Sequence, residues 1–267
     1  LRAIAAAGEE DRRMRMMDIN CDCGESFGNW SMGADEDVLP FVTTANVACG
    51  FHGGDPATME RTVALAHRLA VAVGAHPGLP DLLGFGRRRM DITPDDAYAY
   101  VVYQAGALAA FLKPHGMRLN HVKPHGALYL MLNEREDLAD AVARAVIDVC
   151  PEARMYWPAP IEGRAMPEAA RAHGIRVVGE VYFDLRYDAD RRLVLERKKR
   201  PLDLDDLRTR VADYLATGEI TAITGERLRI EADSICVHGD GPNAADVART
   251  IRDMVRGEGR LVAAAAE

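Results

Sequence analysis

The stretch His121-Val122-Lys123-Pro124-His125-Gly126-Ala127-Leu128-Tyr129 decides the fold. It sets His121, Lys123 and His125 two residues apart after an apolar lead-in, and side chains alternate across a strand, so an extended chain points all three to one side. Inside a closed barrel that side is the cavity. Pro124 supports extended backbone: the residue before a proline is pushed out of the helical region, and proline has no N–H to give a ladder. The strand should end about there. Polar, titratable groups are costly to bury without partners or a ligand. Taken alone, the stretch leaves two readings: a functional face, or satisfied core histidines around a lysine buried in an ion pair. Other strand ends along the chain repeat the pattern, which favours the first.

Working outward, Met17-Asp18-Ile19-Asn20-Cys21-Asp22-Cys23-Gly24-Glu25-Ser26 reads as a strand entering a glycine loop, with Asn20 and Asp22 on one face and the cysteines on the other. Asp22 also suits a turn before Gly24. Val42 to Cys49 is β-branched and small enough for a buried strand that carries Asn46, and the loop after it places His52 at the mouth. Asp55-Pro56 starts a helix, with Asp as N-cap. The run Ala70 to Ala75 leads into His76, and the loop beyond it carries Arg87-Arg88-Arg89. Three arginines usually make a solvated face, but guanidinium is also built to hold carboxylate or phosphate. Thr93 to His115 is helical by pattern and delivers the chain to the opening stretch.

A fifth strand covers Met155 to Ala159. Ile175 to Asp184 forms a sixth, on which Glu180, Tyr182 and Asp184 share parity. His173, before Gly174, suits a helix C-terminus. Extended excursions at about 186–195 and 221–230 flank a helix from Leu204, and the run Arg197-Lys198-Lys199-Arg200 reads as solvated. Ser234 to Pro242 repeats the theme, with His238 and Asp240 two apart before a last helix.

The chain has 267 residues, 48% of them hydrophobic, 28% charged, with a net charge of −8. Such an acidic balance argues against nucleic acid or an anionic membrane as the main partner. No apolar run approaches a membrane span. Five cysteines without zinc-finger spacing read as reduced thiols of a cytoplasmic protein. Residues 1–15 read as a disordered leader, 16–257 as a single barrel domain with an insertion at about 185–233, and 258–267 as a C-terminal tail. About seven strands alternating with helices argue for an α/β protein with a parallel sheet. Because polar clusters follow nearly every strand, a distorted seven-stranded (β/α) barrel gathers them on one rim. An open doubly wound sheet would gather its site at a single crevice instead.

The strings from Asp18 to Gly28, Ala45 to Pro56, Gly74 to Gly78, His121 to Tyr129 and Cys236 to Asp240 together resemble the 5-oxoprolinase A-subunit family, also called the LamB/YcsF lactam-utilisation family. The likeness runs from about Met17 to the final helix. Cys23, where a leucine is expected, departs from it. The resemblance implies a distorted (β/α) barrel related to the glycoside hydrolase and deacetylase barrels. It also implies work with two partner subunits, B and C, in the ATP-dependent opening of 5-oxoproline to glutamate.

That chemistry needs a base, an acid for the leaving nitrogen, and cations or donors for the oxyanion or phosphate. The expected catalytic set is Asp22, His52, Lys123 and His125, with Asp22, His52 or His125 activating water. The expected substrate contacts are Asn20, Glu25, Asn46, His76, Arg87, Arg88, Arg89, His121, Tyr129, Glu180, His238 and Asp240. Changing Asp22, Lys123 or His125 singly to Ala is expected to abolish turnover without unfolding. No Gly-x-x-x-x-Gly-Lys-Ser/Thr loop occurs, so ATP is expected to enter chiefly through the partners. Aspartate with several histidines is also a ligand set for a divalent cation. Two alternatives therefore stand beside the main reading: a metal-dependent amidohydrolase or deacetylase, and a non-catalytic scaffold subunit.

Overall fold

A computed structural model describes residues 16–194 and 200–261. The leader placed at 1–15, the basic residues Arg197 to Lys199 and the end of the tail, 262–267, lie outside the described residues.

Seven strands close into an all-parallel barrel: β1 (Asp18–Cys23), β2 (Thr44–Ala48), β3 (Ala72–His76), β4 (Leu119–Val122), β5 (Arg154–Pro158), β6 (Val177–Tyr182) and β11 (Ser234–His238). Each pairs with its neighbour in sequence, and β11 shuts the ring between β6 and β1. Two antiparallel hairpins, β7 (Arg186–Tyr187) with β8 (Leu193–Val194) and β9 (Glu219–Thr221) with β10 (Arg227–Arg229), occupy the insertion between β6 and β11. Among the described residues no helix is long and apolar enough to cross a membrane.

Strand alternation sorts the side chains. Ile19, Cys21 and Cys23 of β1, Ala45 and Val47 of β2 and Val73 and Ala75 of β3 belong to the apolar core beneath the helices. Each fully buried aliphatic side chain in such a layer contributes roughly 1.5–3 kcal/mol. That outer layer offsets the cost of an interior made largely of polar groups. At the amino-terminal end of the interior the Asp18 carboxylate accepts hydrogen bonds from the hydroxyls of Thr44 (2.9 Å), Tyr156 (2.9 Å) and Ser234 (2.7 Å).

The helices start where their caps dictate. Asp55 caps α1 (Pro56–Arg68), accepting from the Thr58 amide at 2.8 Å, and Thr93 with Asp96 forms a capping box on α2 (Pro94–Leu112). Asp55 is thus a structural cap that also takes the Gly28 amide at 2.8 Å. His173 closes its helix as expected and pairs with Asp140 at 2.8 Å.

The boundary expected at 257/258 comes too early. Met17 donates to the Arg260 carbonyl at 2.7 Å, Met17 and Leu261 form a parallel bridge, and Arg260 is only 7% exposed with its guanidinium on the Leu215 carbonyl. As far as Leu261 the chain is therefore packed beside β1, because the last helix (Ala244–Gly257) returns it to the foot of the barrel.

Candidate active site

The deciding stretch is extended as far as His125. Beyond the end of β4, the Lys123 amide donates to the Ala75 carbonyl and the His125 amide to the Pro77 carbonyl, both at 2.9 Å, before the helix Gly126–Glu134 begins. Lys123 and His125 therefore stand at the carboxyl ends of the strands, one above the other. Gly126 makes the turn possible with φ +52°, because the Gly86 carbonyl lies where a side chain would begin.

Lys123 is the hub. Its Nζ lies 3.1 Å from Asp22 Oδ1, 3.1 Å from Glu180 Oε1, 3.4 Å from Asn20 Oδ1 and 3.0 Å from Cys236 Sγ. Burial works against the ammonium, but Asp22, Cys236 and Glu180 outweigh it, so its pKa is held well above the usual lysine value. Burial likewise opposes the charge on Asp22, and its surroundings, the Lys123 ammonium and the Asn46 hydrogen bond among them, more than compensate, holding that carboxyl well below the usual range. The ion pair is therefore fully charged inside the barrel.

Beneath it lies a supporting lattice. Asn46 Nδ2 donates to Asn20 Oδ1 and to Asp22 Oδ1, each at 2.8 Å, Asn20 Nδ2 donates to Ser234 Oγ at 2.7 Å, and His121 Nε2 donates to Asn46 Oδ1 at 2.5 Å. Asn20, Asn46, His121 and Glu180 are all 0% exposed. Expected as substrate contacts, they are here closed to solvent and occupied by other side chains. They lie under Lys123 and Asp22 and fix where those two side chains sit. Tyr182 adds a hydroxyl donated to Glu180 at 2.9 Å.

Gly74 sits opposite Asn46 on β3, and a Cβ there would overlap the His121 imidazole. Gly74→Ala is therefore expected to lower stability by about 1–3 kcal/mol, the usual cost of overpacking a tight interior. Because His121 positions Asn46 and Asn46 positions Asp22, turnover should fall with it. Thermal unfolding read alongside activity checks this; an unchanged unfolding midpoint would mean that the ring swings aside at no cost.

Above the lattice stand the groups that meet solvent. Asp22 (9%), Glu25 (7%), Lys123 (6%) and His125 (6%) are each slightly exposed, whereas His76 and His52 are closed off. His238 is the most open of the imidazoles around the mouth, with 21% of its side chain exposed. Its Nδ1 lies 2.8 Å from Asp184 Oδ2 and its Nε2 4.0 Å from Asp22 Oδ2. Asp184 also accepts the His238 amide at 2.8 Å. Since a carboxylate only accepts, the neutral ring of His238 presents Nδ1–H to Asp184 and keeps Nε2 as its basic nitrogen, on the side of Asp22. Asp184 is absent from the residues expected at the site. The signal for it was its parity with Glu180 and Tyr182 on β6, which brings it to the same rim.

Burial, above all other influences, lowers the pKa of His52, His121 and His125 to about 3 and that of His76 well below its ordinary value, so these imidazoles are neutral. Burial also raises Glu25 to about 7. Glu25 and His52 lie next to one another, 3.5 Å apart at the nearest oxygen and nitrogen.

The three arginines part company. Arg88 is paired with Asp81, and Arg89 with Glu134 at 2.6 Å, both guanidinium groups lying on the exposed surface. Both therefore already have a carboxylate partner on the surface. Arg87 lies over the Phe85 ring at 5.1 Å, and its charge reaches His52. Tyr129 is half-buried against Trp157, with ring centroids 4.7 Å apart. Asp240 is exposed on the loop after β11, where its charge is felt at Glu25. The five cysteines carry free thiols.

Comparison with known proteins agrees with this architecture. The LamB/YcsF family model matches residues 17–267. The A subunit of 5-oxoprolinase from Bordetella pertussis is 48% identical over 251 residues, covering 93% of this chain and 98% of that protein. The protein of the same name from Bacillus subtilis is 44% identical over 256 residues, covering 95% and 98%. Among solved structures, a lactam utilization protein from Thermus thermophilus superposes with a TM-score of 0.85 at 41% identity, covering 93% of this chain and 99% of that one. A putative cellobiose-phosphate cleavage protein from Enterococcus faecalis, at 13% identity and a TM-score of 0.55, covering 92% and 95%, shares the fold.

Proposed function

From the premise that the chain belongs to the LamB/YcsF family, we propose that it is the A subunit of an ATP-dependent 5-oxoprolinase and carries the site at which the lactam is opened. A five-membered lactam is an unstrained amide, so its hydrolysis needs coupling. Transfer of phosphate from ATP to the carbonyl oxygen makes C5 electrophilic. Water then adds to C5, the C5–N bond breaks as nitrogen takes a proton, and the resulting acyl phosphate is hydrolysed by a second water to glutamate and inorganic phosphate.

The observation that carries this reading is the meeting of three complementary groups at one mouth: the charged Lys123 ammonium, the Asp22 carboxylate and the basic Nε2 of His238. His238, oriented by Asp184, takes the proton from water. Lys123 faces the charge that develops on oxygen, where a preorganised cation in a water-poor site is worth most. Asp22 keeps the ammonium in place and stabilises the imidazolium that His238 becomes. His52, closed to solvent, is less suited to meet water than the sequence suggests.

ATP enters through partner subunits B and C, in keeping with a chain that carries no Walker-type phosphate loop. Free thiols suit the reducing cytoplasm. The test is reconstitution: this chain, the two partners, and all three together, each with ATP, magnesium and 5-oxoproline, with glutamate measured. Glutamate is expected only from the full set. Glutamate formed by this chain alone without ATP would replace the reading with that of a simple amidohydrolase. Full activity from partners combined with an Asp22→Asn, Lys123→Met or His238→Asn chain would leave it a scaffold.

A further inference from the structure

Beside the mouth, the imidazoles of His52, His76 and His125 and the carboxylate of Glu25 place one ligand atom each within 4.8 Å of one another. The hydrogen bonds around this cluster leave it incomplete. His76 Nδ1 lies 2.7 Å from the Lys123 carbonyl, and His125 Nε2 lies 2.8 Å from the Phe85 carbonyl. A carbonyl can only accept, so both of these nitrogens carry the ring proton. The other nitrogen of each neutral ring is then a bare lone pair. Those two lone pairs, His76 Nε2 and His125 Nδ1, face each other at 2.9 Å. Two acceptors at that distance repel unless something positive lies between or beside them.

His52 makes the same demand independently. It is 0% exposed, and neither of its ring nitrogens has a hydrogen-bond partner. Its Nε2 is 3.5 Å from Glu25 Oε1, too far for a good hydrogen bond. Leaving such groups unpaired away from water is costly, and a single added proton would satisfy only the His76–His125 pair. A cation beside the two facing lone pairs relieves them and takes the Glu25 carboxylate, and one nitrogen of His52 reaches it once that ring turns out of its parallel stack on His125, where the centroids are 3.7 Å apart.

The geometry points to a resident divalent metal ion held by Glu25, His52, His76 and His125. Bonds of about 2.05 Å to a four-coordinate ion put its ligand atoms about 3.3 Å apart; two of the pairs here stand at 2.9 Å and 3.5 Å and all lie within 4.8 Å, so binding draws the wider pairs together. Three neutral imidazoles with one carboxylate form a donor set suited to zinc or another late first-row ion rather than to magnesium or calcium. The carbonyls of Lys123 and Phe85 then take the usual part of outer partners, fixing the tautomer and orientation of the ligating rings. Glycine makes the packing possible: a Cβ at Gly78 or Gly86 would press on His52, and at Gly86 on His125 as well. The inference does not depend on the reaction proposed above.

The test uses the untagged full chain. Elemental analysis after purification in metal-depleted buffer, and titration of chelator-stripped protein with Zn2+ and Co2+, should both give one equivalent. Bound Co2+ should show the intense visible bands of a four-coordinate ion, and Zn2+ should raise the unfolding midpoint of the stripped protein. The double variant Glu25→Gln, His52→Asn should lose the equivalent and the bands. Failure of the stripped wild-type chain to bind either ion at micromolar concentration would overturn the proposal, whether or not the variant folds. So would one equivalent retained by a folded double variant, since the metal would then sit elsewhere.

Discussion

Lys123→Met is expected to abolish glutamate formation in the reconstituted system and to lower the unfolding free energy by about 3–5 kcal/mol, the range for removing one partner of a buried ion pair. Methionine fills nearly the same space, so the loss comes from charge. Without the ammonium, Asp22 and Glu180 lose the cation that sits 3.1 Å from each, and Glu180 has no exposure through which water could replace it. The expectation from the sequence was loss of turnover with an intact fold. The structure adds a cost in stability, because the lysine also neutralises the Glu180 carboxylate on β6. Urea unfolding of Lys123→Met and of the double variant Lys123→Met, Glu180→Gln separates the two roles. The second change should restore part of the stability and none of the activity. If it restores no stability, the ion pair is not what holds this part of the interior together.

Asp22→Asn is expected to reduce turnover by about 10²–10³, the scale on which one preorganised electrostatic group acts in a closed site, while the fold stays intact. The amide has the shape of the carboxylate. Its oxygen can still accept from Asn46, which donates to Asp22 at 2.8 Å, and Lys123 keeps Glu180 as its counter-ion. What disappears is the negative charge 4.0 Å from His238 Nε2. The loss should therefore fall on kcat more than on KM. Circular dichroism with steady-state kinetics of the reconstituted complex provides the check. A variant within about threefold of wild type would make Asp22 a structural residue only.

Much of the site was legible because strands have a period of two. The alternation in Asn20-Cys21-Asp22-Cys23, in His121-Val122-Lys123 and in Ser234-Ile235-Cys236-Val237-His238 separates an apolar face from a polar one with no knowledge of the fold. Once seven such strands are parallel and closed, their polar faces have nowhere to point except inward. Depth along the strand was not legible in the same way. His121 and Lys123 share a face, yet His121 lies in the fully buried lattice and Lys123 at the mouth. Which level each occupies depends on the stagger between strands, including the irregular register of β3 against β4. Loop residues were less legible still. Arg87, Arg88 and Arg89 are alike in sequence, and only the positions of Asp81 and Glu134 in space set two of them apart.

By itself the sequence determined the order of elements, the extended course of the chain through Pro124, and which side chains of each strand avoid the apolar layer. These follow from local backbone sterics and from alternation, which act over a few residues. Only the tertiary structure decided that Lys123 lies between Asp22 and Glu180, that Asp184 orients His238, and that lone pairs of His76 and His125 face each other. Those are contacts between residues separated by 101, 54 and 49 positions for the pairs Lys123–Asp22, His238–Asp184 and His125–His76. They arise when the barrel closes, because hydrogen bonding and Coulomb attraction inside it depend on distances that no single segment of chain can set.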